Sequence, residues 1–163
     1  MADIRIRNDI NVPEVSKDLT YHGHNPTKVF KLVPRLIKDI MRIKSAHFFE
    51  DEFKWDVSAE PILFFAYWRG RLKKDARTTM WINVRCQGEV SSKDNTGNVT
   101  LKIGGNISTK IPYNSFIDKA LSHFYKHSFY SQQRREYIEE GRKYLEQIEA
   151  EIRKNFKMLE REA

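Results

Sequence analysis

Residues 46–110 contain four successive apolar-rich segments of strand length, and this pattern constrains the fold more than any other feature of the chain. Residues 47–57, 79–90 and 99–107 have the length and the two-residue period of a β-strand, and residues 62–72 have the same length but are apolar on both sides for most of it. The longest connection between them, residues 91–97, is rich in Ser, Asp, Asn and Gly, as loops are. Because short connections join neighbouring strands, we predict a four-stranded antiparallel meander.

The segment before the meander predicts one further strand and a helical stretch. Ile4 and Ile6 alternate with charged residues, which indicates a short strand, and the polar segment that follows from Pro13 indicates a loop. Residues 26–44 have helical periodicity, but Pro34 removes a backbone donor and clashes with the preceding turn. We therefore expect two short helices, over residues 26–32 and 34–44, or one kinked helix.

The segment after the meander predicts a long helix over residues 113–161, with a break around His127 and Ser128. Ile138, Leu145, Ile152 and Leu159 recur every seven residues and form an apolar stripe. Residues 131–161 would span about 45 Å, which is longer than one small sheet can cover. We therefore predict a homodimer in which this helix crosses to the partner or covers its exposed sheet face. The alternative is a helix folded back onto its own domain.

The predicted class is α+β, with a curved antiparallel β-meander packed against a long C-terminal helix and two short helices near the N-terminus. We expect a single domain, whose core is formed by residues 1–130 and extended by the helical residues 131–163. This order of elements resembles the helix-grip fold of the START and Bet v 1-like superfamily, in which a curved sheet grips the last helix. We count five strands, whereas that superfamily has six or seven.

The resemblance implies a cavity between the sheet and the C-terminal helix that holds a lipid-like or aromatic small molecule, or a surface that positions a partner protein. No catalytic residue is implied, because fold does not specify chemistry. The side chains expected to line this cavity are Asp51, Phe53, Trp55, Phe64, Trp68 and Ile82.

Asp51 is the one charged residue on the face of the meander that is otherwise apolar. A buried carboxylate is costly unless it is paired. Asp51 could therefore orient a polar group of a ligand or act as a base with a raised pKa. The alternatives are that Asp51 lies near the strand end, or that it pairs with Lys44 or an N-terminal basic residue.

The other face of the meander is unexpectedly apolar for a face exposed to water. It carries Phe48, Leu63, Phe65, Tyr67 and Trp81, together with the cationic residues Lys54, Arg69, Arg71, Arg85 and Lys102. Three interpretations are open. The N-terminal strand or loop covers this face, a second copy of the chain packs on it, or its aromatic and cationic side chains bind single-stranded nucleic acid.

The chain carries 29 basic and 22 acidic residues and a formal net charge of +7, which favours an anionic partner. The excess is greatest near the N-terminus. There, Lys28, Lys31, Arg35, Lys38 and Arg42 recur at spacings of three and four residues and form one helical stripe. This stripe is either the solvated side of an amphipathic helix or a second surface for nucleic acid.

Several classes of protein are disfavoured. The single cysteine, Cys86, excludes an intrachain disulfide, and no phosphate-cradling loop or nucleophile motif indicates a cofactor or a reaction. His123 and His127 are four residues apart, but the glutamate usual beside the first histidine of a zinc helix is missing, so we expect no metal. The longest apolar run, residues 62–68, is too short to span a membrane. We therefore expect a cytoplasmic binding protein and not an enzyme.

Overall fold

Among the described residues, six antiparallel strands form one curved sheet, and two helices pack on one of its faces. The computed structural model describes residues 2–11, 16–113, 120 and 130–157. The elements in chain order are β1 (Ala2–Asp9), β2 (Ser16–His24), α1 (Val29–Met41), β3 (Phe48–Asp56), β4 (Ile62–Lys73), β5 (Thr78–Val90), β6 (Thr96–Tyr113) and α2 (Tyr130–Asn155). The predicted α+β class, with a curved antiparallel sheet and a C-terminal helix, is confirmed.

The predicted meander is present as β3, β4, β5 and β6, each paired with the next. On β4 and β5, residues with buried side chains alternate with residues whose side chains are partly or fully exposed. This alternation gives the sheet one face toward the helices and one face toward solvent.

The expectation of five strands is wrong, because residues 16–24 form β2 where a loop was predicted. Both β1 and β2 run antiparallel to the 18-residue strand β6, with Asp9 opposite Asn106 and Ser16 opposite Gly104. Together they form one interrupted edge strand. Only Leu19 of β2 is buried, so the strand has little of the apolar alternation from which strands are predicted.

The expectation of two short helices is also wrong. A single 3-10 turn over Pro26–Lys28 leads into one continuous helix, α1, which contains Pro34. Proline removes one backbone donor from this helix. The apolar side of α1 is nevertheless buried on the sheet at Leu32, Val33, Leu36 and Ile37, and such packing is the main source of helix stability in proteins. The free energy gained by burying these side chains therefore exceeds the cost of the backbone hydrogen bond that is missing at Pro34.

The core lies between the helices and the inner face of the sheet. Its fully buried side chains include Trp68, Met80, Ile82, Ile103 and Ile107 from the strands and Ile37 and Met41 from α1. Burial of each such side chain contributes about 1.5–3 kcal/mol of transfer free energy. Gly70 of β4 lets α1 approach closely, because a Cβ atom there would lie 2.6 Å from Sδ of Met41.

The apolar stripe of α2 is buried within its own domain. Leu145, Ile148 and Ile152 are at most 1% exposed, and α2 contacts β5, β6 and α1. Gly141 also belongs to this seam, and a Cβ atom there would lie 2.6 Å from Cδ1 of Ile10. The expectation that this stripe needs a second chain is therefore wrong for the described part of the helix, which folds back onto its own sheet.

Some predictions lie outside the described residues. They concern residues 114–119 and 121–129, where we expected the first part of the C-terminal helix, the break around His127 and Ser128, and His123, as well as Leu159 near the end. Within the residues that are described, no helix combines the length and the apolar composition needed to cross a membrane.

Candidate nucleic-acid interface

A β-bulge at Asp51 decides which side chains of β3 face solvent. Phe49 lies opposite Arg69 and Glu50 opposite Trp68, but Glu52 lies opposite Tyr67, so Asp51 is an extra residue in the strand. Beyond the bulge, Phe53 lies opposite Ala66 and so faces the helices. Regular alternation along the sequence predicted Phe49 and Asp51 on the inner face and Phe48 on the outer face.

The bulge reverses these positions. Phe49 and Asp51 are on the outer face, beside Arg69, and Phe48 is on the inner face, opposite Gly70.

The prediction that Asp51 lies in an apolar cavity is wrong. Asp51 is exposed, and its carboxylate accepts two hydrogen bonds from Arg69, one from Nε and one from Nη2 at 3.1 Å. The hydrogen bond to Asp51 also raises the pKa of the Arg69 guanidinium. Asp51 therefore orients an arginine on the outer face, and its hydrogen-bond partner is Arg69 and not Lys44 or any N-terminal residue that the structure describes.

Phe49, Arg69, Arg71 and Trp81 form a cluster across three neighbouring strands of the outer face. The guanidinium of Arg69 lies 4.8 Å from the ring centroid of Trp81 and 5.7 Å from that of Phe49. Arg71 lies 5.9 Å and 5.3 Å from the same two rings. Arg71 is the cross-strand partner of Trp81 and Arg69 lies diagonally from it, so both guanidinium groups are within range of cation–π attraction to this ring.

The same arrangement continues along the sheet at Tyr67 and Arg85. These residues are cross-strand partners, and the guanidinium of Arg85 lies 5.2 Å from the Tyr67 ring centroid. We call the six side chains of this surface the aromatic–arginine face: Phe49, Tyr67, Arg69, Arg71, Trp81 and Arg85. The sequence predicted five of them on this face and missed Phe49, because nothing in the strand pattern marks the bulge.

α1 and α2 lie on the opposite side of the sheet, so neither of these described helices covers the aromatic–arginine face. The interpretation that the N-terminal strand covers it is wrong, because β1 and β2 pair with β6 and extend the sheet sideways. Near their junction the outer face contains a hollow of about 190 Å³, whose lining includes Arg85 and the amides of Asn83 and Asn106. The open face thus offers rings, cations and amide groups side by side.

A larger groove, of about 1040 Å³, opens at the end of the sheet where α1 leads into β3. Its charged and titratable lining residues are Arg42, Lys44, His47, Arg71, Lys73, Arg77 and Lys110, and we call it the basic groove. Among the described residues that line it, none carries a carboxylate. Sequence reasoning missed this site because its residues come from four separate segments, each with only one or two charges.

The turn between β4 and β5 forms one side of the basic groove. The Asp75 carboxylate accepts the backbone N–H groups of Arg77 and Thr78, both at 2.8 Å, and the hydroxyl of Tyr137 at 3.1 Å. Lys74 pairs with Glu140 of α2 at 2.6 Å. The acidic residues of this region are thus engaged by the turn and by α2, while Lys73 and Arg77 face the groove.

Arg71 belongs to both surfaces. It lines the basic groove, its Nη2 lies 3.1 Å from Nδ1 of His47, and its guanidinium packs on Phe49 and Trp81. The groove and the aromatic–arginine face are therefore continuous at this residue.

The basic stripe of α1 is not part of the same surface, apart from its last residue. Lys31 and Arg35 are exposed on the helix layer. Lys28 precedes the helix and donates to the backbone carbonyl of Asn155 at 3.0 Å, and Lys38 packs 5.4 Å from the Phe48 ring centroid. Only Arg42 reaches the groove. The structure therefore separates the two nucleic-acid surfaces that the sequence suggested.

The residues expected to line an apolar cavity have different environments. Phe64, Trp68 and Ile82 are buried in the core, and the Trp68 indole donates to Oε1 of Glu50 at 3.0 Å. Phe30 of α1 packs against this region, with its ring centroid 5.2 Å from those of both Phe53 and Phe64. At the margin, Phe53 and Trp55 are 50% and 43% exposed.

Comparisons with known proteins add little to this geometry. No family model and no curated protein sequence matches the chain. Among solved structures, the chain is similar to an uncharacterised protein from Rhizobium leguminosarum, with 12% sequence identity and a TM-score of 0.21. That alignment covers 90% of this chain and 99% of the other. A likeness of this degree carries no argument about function.

Proposed function

We propose that this protein binds single-stranded nucleic acid on the aromatic–arginine face. The observation that carries the proposal is the position of Trp81, which lies beside Phe49 and within 6 Å of two guanidinium groups, on a sheet face that neither α1 nor α2 covers. Bases that are not paired stack on aromatic and guanidinium surfaces of this kind, and each stacked base contributes about 1–3 kcal/mol.

Three further properties support a nucleic-acid ligand. The chain has a formal charge of +7, so long-range attraction favours a polyanion. The exposed guanidinium of Arg85 provides a phosphate partner at the far end of the face. The sheet is broad, and neither of the two described helices lies on this side, which suits splayed bases better than the groove of a duplex. We place this activity in the cytoplasm, the compartment that the single cysteine favours.

The test compares two exposed arginines on opposite sides of the sheet. Arg85→Ala removes a cation from the aromatic–arginine face, and Arg35→Ala removes one from the stripe on α1. Both variants have the same net charge. Fluorescence anisotropy with a labelled single-stranded oligonucleotide of about 15 nucleotides should show weaker binding for Arg85→Ala only. Weaker binding for Arg35→Ala only would move the interface to the helix and contradict the proposal.

A second candidate function is the binding of an apolar small molecule on the other side of the sheet, as the helix-grip resemblance implies. It is favoured by one observation, the exposure of Phe53 and Trp55 at the margin of the inner face beside Phe30. An aromatic probe such as a naphthalene sulfonate should then raise the melting temperature of the protein. The increase should be absent from the Trp55→Ala variant, and an unchanged melting temperature for the original protein would remove this candidate.

A further inference from the structure

We propose that the basic groove is a binding site for phosphate groups and that it holds the backbone of the same strand whose bases contact the aromatic–arginine face. The second part of this inference rests on the proposed function, and the first part does not. The groove is a separate site because only one of its lining residues, Arg71, belongs to the face.

The proposal that the basic groove binds phosphate groups rests on the charge of its lining residues. Six of the lining residues are Lys or Arg and a seventh is His47, and among the described residues that line the groove none carries a carboxylate. Arg42, Lys44, Arg71, Lys73 and Arg77 place like charges around one groove, and the repulsion between them is relieved when an anion enters. Arginine and lysine are also the side chains that bind phosphate most strongly, through charge-assisted hydrogen bonds.

The backbone of Arg42 provides a second, independent observation. Arg42 caps the end of α1 with φ 54° and ψ 46°, in the left-handed region. Glycine or asparagine is the usual residue at such a position, because a larger side chain is strained there. In this chain the position holds an arginine that lines the groove. Arg42 therefore occupies a position at which helix geometry alone favours glycine, and this indicates a role for its charge in the groove.

The proposal that one strand contacts both surfaces rests on their continuity at Arg71. Arg71 contacts the rings of Phe49 and Trp81 on the outer face and also lines the groove, together with Thr79 from the neighbouring strand. A strand with a base against Trp81 therefore places its adjoining phosphates at the mouth of the groove. Lys73 and Arg77 lie further along the same lining and would contact the phosphates that follow.

The experiment measures how the dissociation constant depends on salt. For single strands, the logarithm of affinity falls with the logarithm of salt concentration by about 0.7 for each neutralised phosphate. The double variant Lys73→Ala/Arg77→Ala should therefore reduce the slope by about 1.4. The control Lys31→Ala/Arg35→Ala removes the same charge from α1 and should leave the slope unchanged. Trp81→Ala should weaken binding at every salt concentration without a change of slope.

A second arm replaces the oligonucleotide with inorganic pyrophosphate and follows the melting temperature. The original protein and the α1 control should be stabilised equally, and the groove variant should gain little. If the groove variant and the control give the same slope and the same thermal shift, the phosphate site is refuted. If pyrophosphate stabilises the protein through the groove but no oligonucleotide binds, the phosphate site stands and the proposed function fails.

Discussion

The guanidinium of Arg69 lies 4.8 Å from the centre of the Trp81 ring, and the Asp51 carboxylate holds it there through two hydrogen bonds. Asp51 can do so because it is the extra residue of a bulge, which brings it and Phe49 to the outer face. A single inserted residue in an edge strand thus assembles the central cluster of the proposed interface.

Substitution of Trp81 should separate binding from stability. Trp81→Ala removes the central ring of the aromatic–arginine face and should weaken the binding of single strands by about 5- to 150-fold, the equivalent of one stacked base. Trp81→Phe keeps an aromatic surface and should retain most of the affinity. Anisotropy titrations measure both, and circular dichroism verifies the fold. A folded Trp81→Ala variant with the original affinity would exclude stacking at this position.

Arg42→Gly should increase stability while it weakens phosphate binding. Glycine adopts the left-handed conformation of this position without the strain of a side chain, which favours the folded state by about 1 kcal/mol. Arg42→Ala removes the same charge but retains the strain, so it should bind as weakly without the gain in stability. Urea denaturation measures the free energy of unfolding of each. A loss of stability in Arg42→Gly would show that contacts of the arginine side chain outweigh the strain.

The sequence predicted the meander because short loops separate segments of strand length, which alternate where one face is buried, as in β5, or are apolar throughout, as over residues 62–68 of β4. It did not predict β2, an edge strand with one fully buried side chain, at Leu19. It also could not locate the bulge at Asp51, because Phe48 and Phe49 are both apolar and either can face inward. The basic groove could not be predicted from the sequence for a different reason. Arg42, Lys73 and Lys110 are distant in sequence, and only the folded sheet brings them together.

The contact between Gly141 and Ile10 should be sensitive to one methyl group. A Cβ atom at residue 141 would lie 2.6 Å from Cδ1 of Ile10, so Gly141→Ala should lower the free energy of unfolding, with an overpacking cost of about 1–3 kcal/mol partly offset by better helix propensity. Ile10→Val removes the clashing atom and should make the same substitution less costly. A double-mutant cycle measures this coupling. Additive effects would show that α2 does not pack on Ile10 in this way.

The thiol of Cys86 should be unreactive in the folded protein. Cys86 is buried, and desolvation raises its pKa to about 12, so little of the reactive thiolate is present at mildly alkaline pH. Ellman's reagent should therefore label Cys86 only as the protein unfolds, with a rate that follows urea concentration. Rapid labelling without denaturant would contradict the burial of this strand.

The most direct test of the proposed interface uses the three tryptophans as reporters in one experiment. Trp81 lies on the outer face, Trp68 is buried with its indole N–H on Glu50, and Trp55 lies at the margin of the inner face. Indole N–H resonances should be recorded by nuclear magnetic resonance while a single-stranded oligonucleotide is added at low salt. We predict that the Trp81 resonance shifts and that those of Trp55 and Trp68 stay in place. Binding that moves Trp55 and leaves Trp81 unchanged, or no change of any indole resonance at saturating oligonucleotide, would contradict the account.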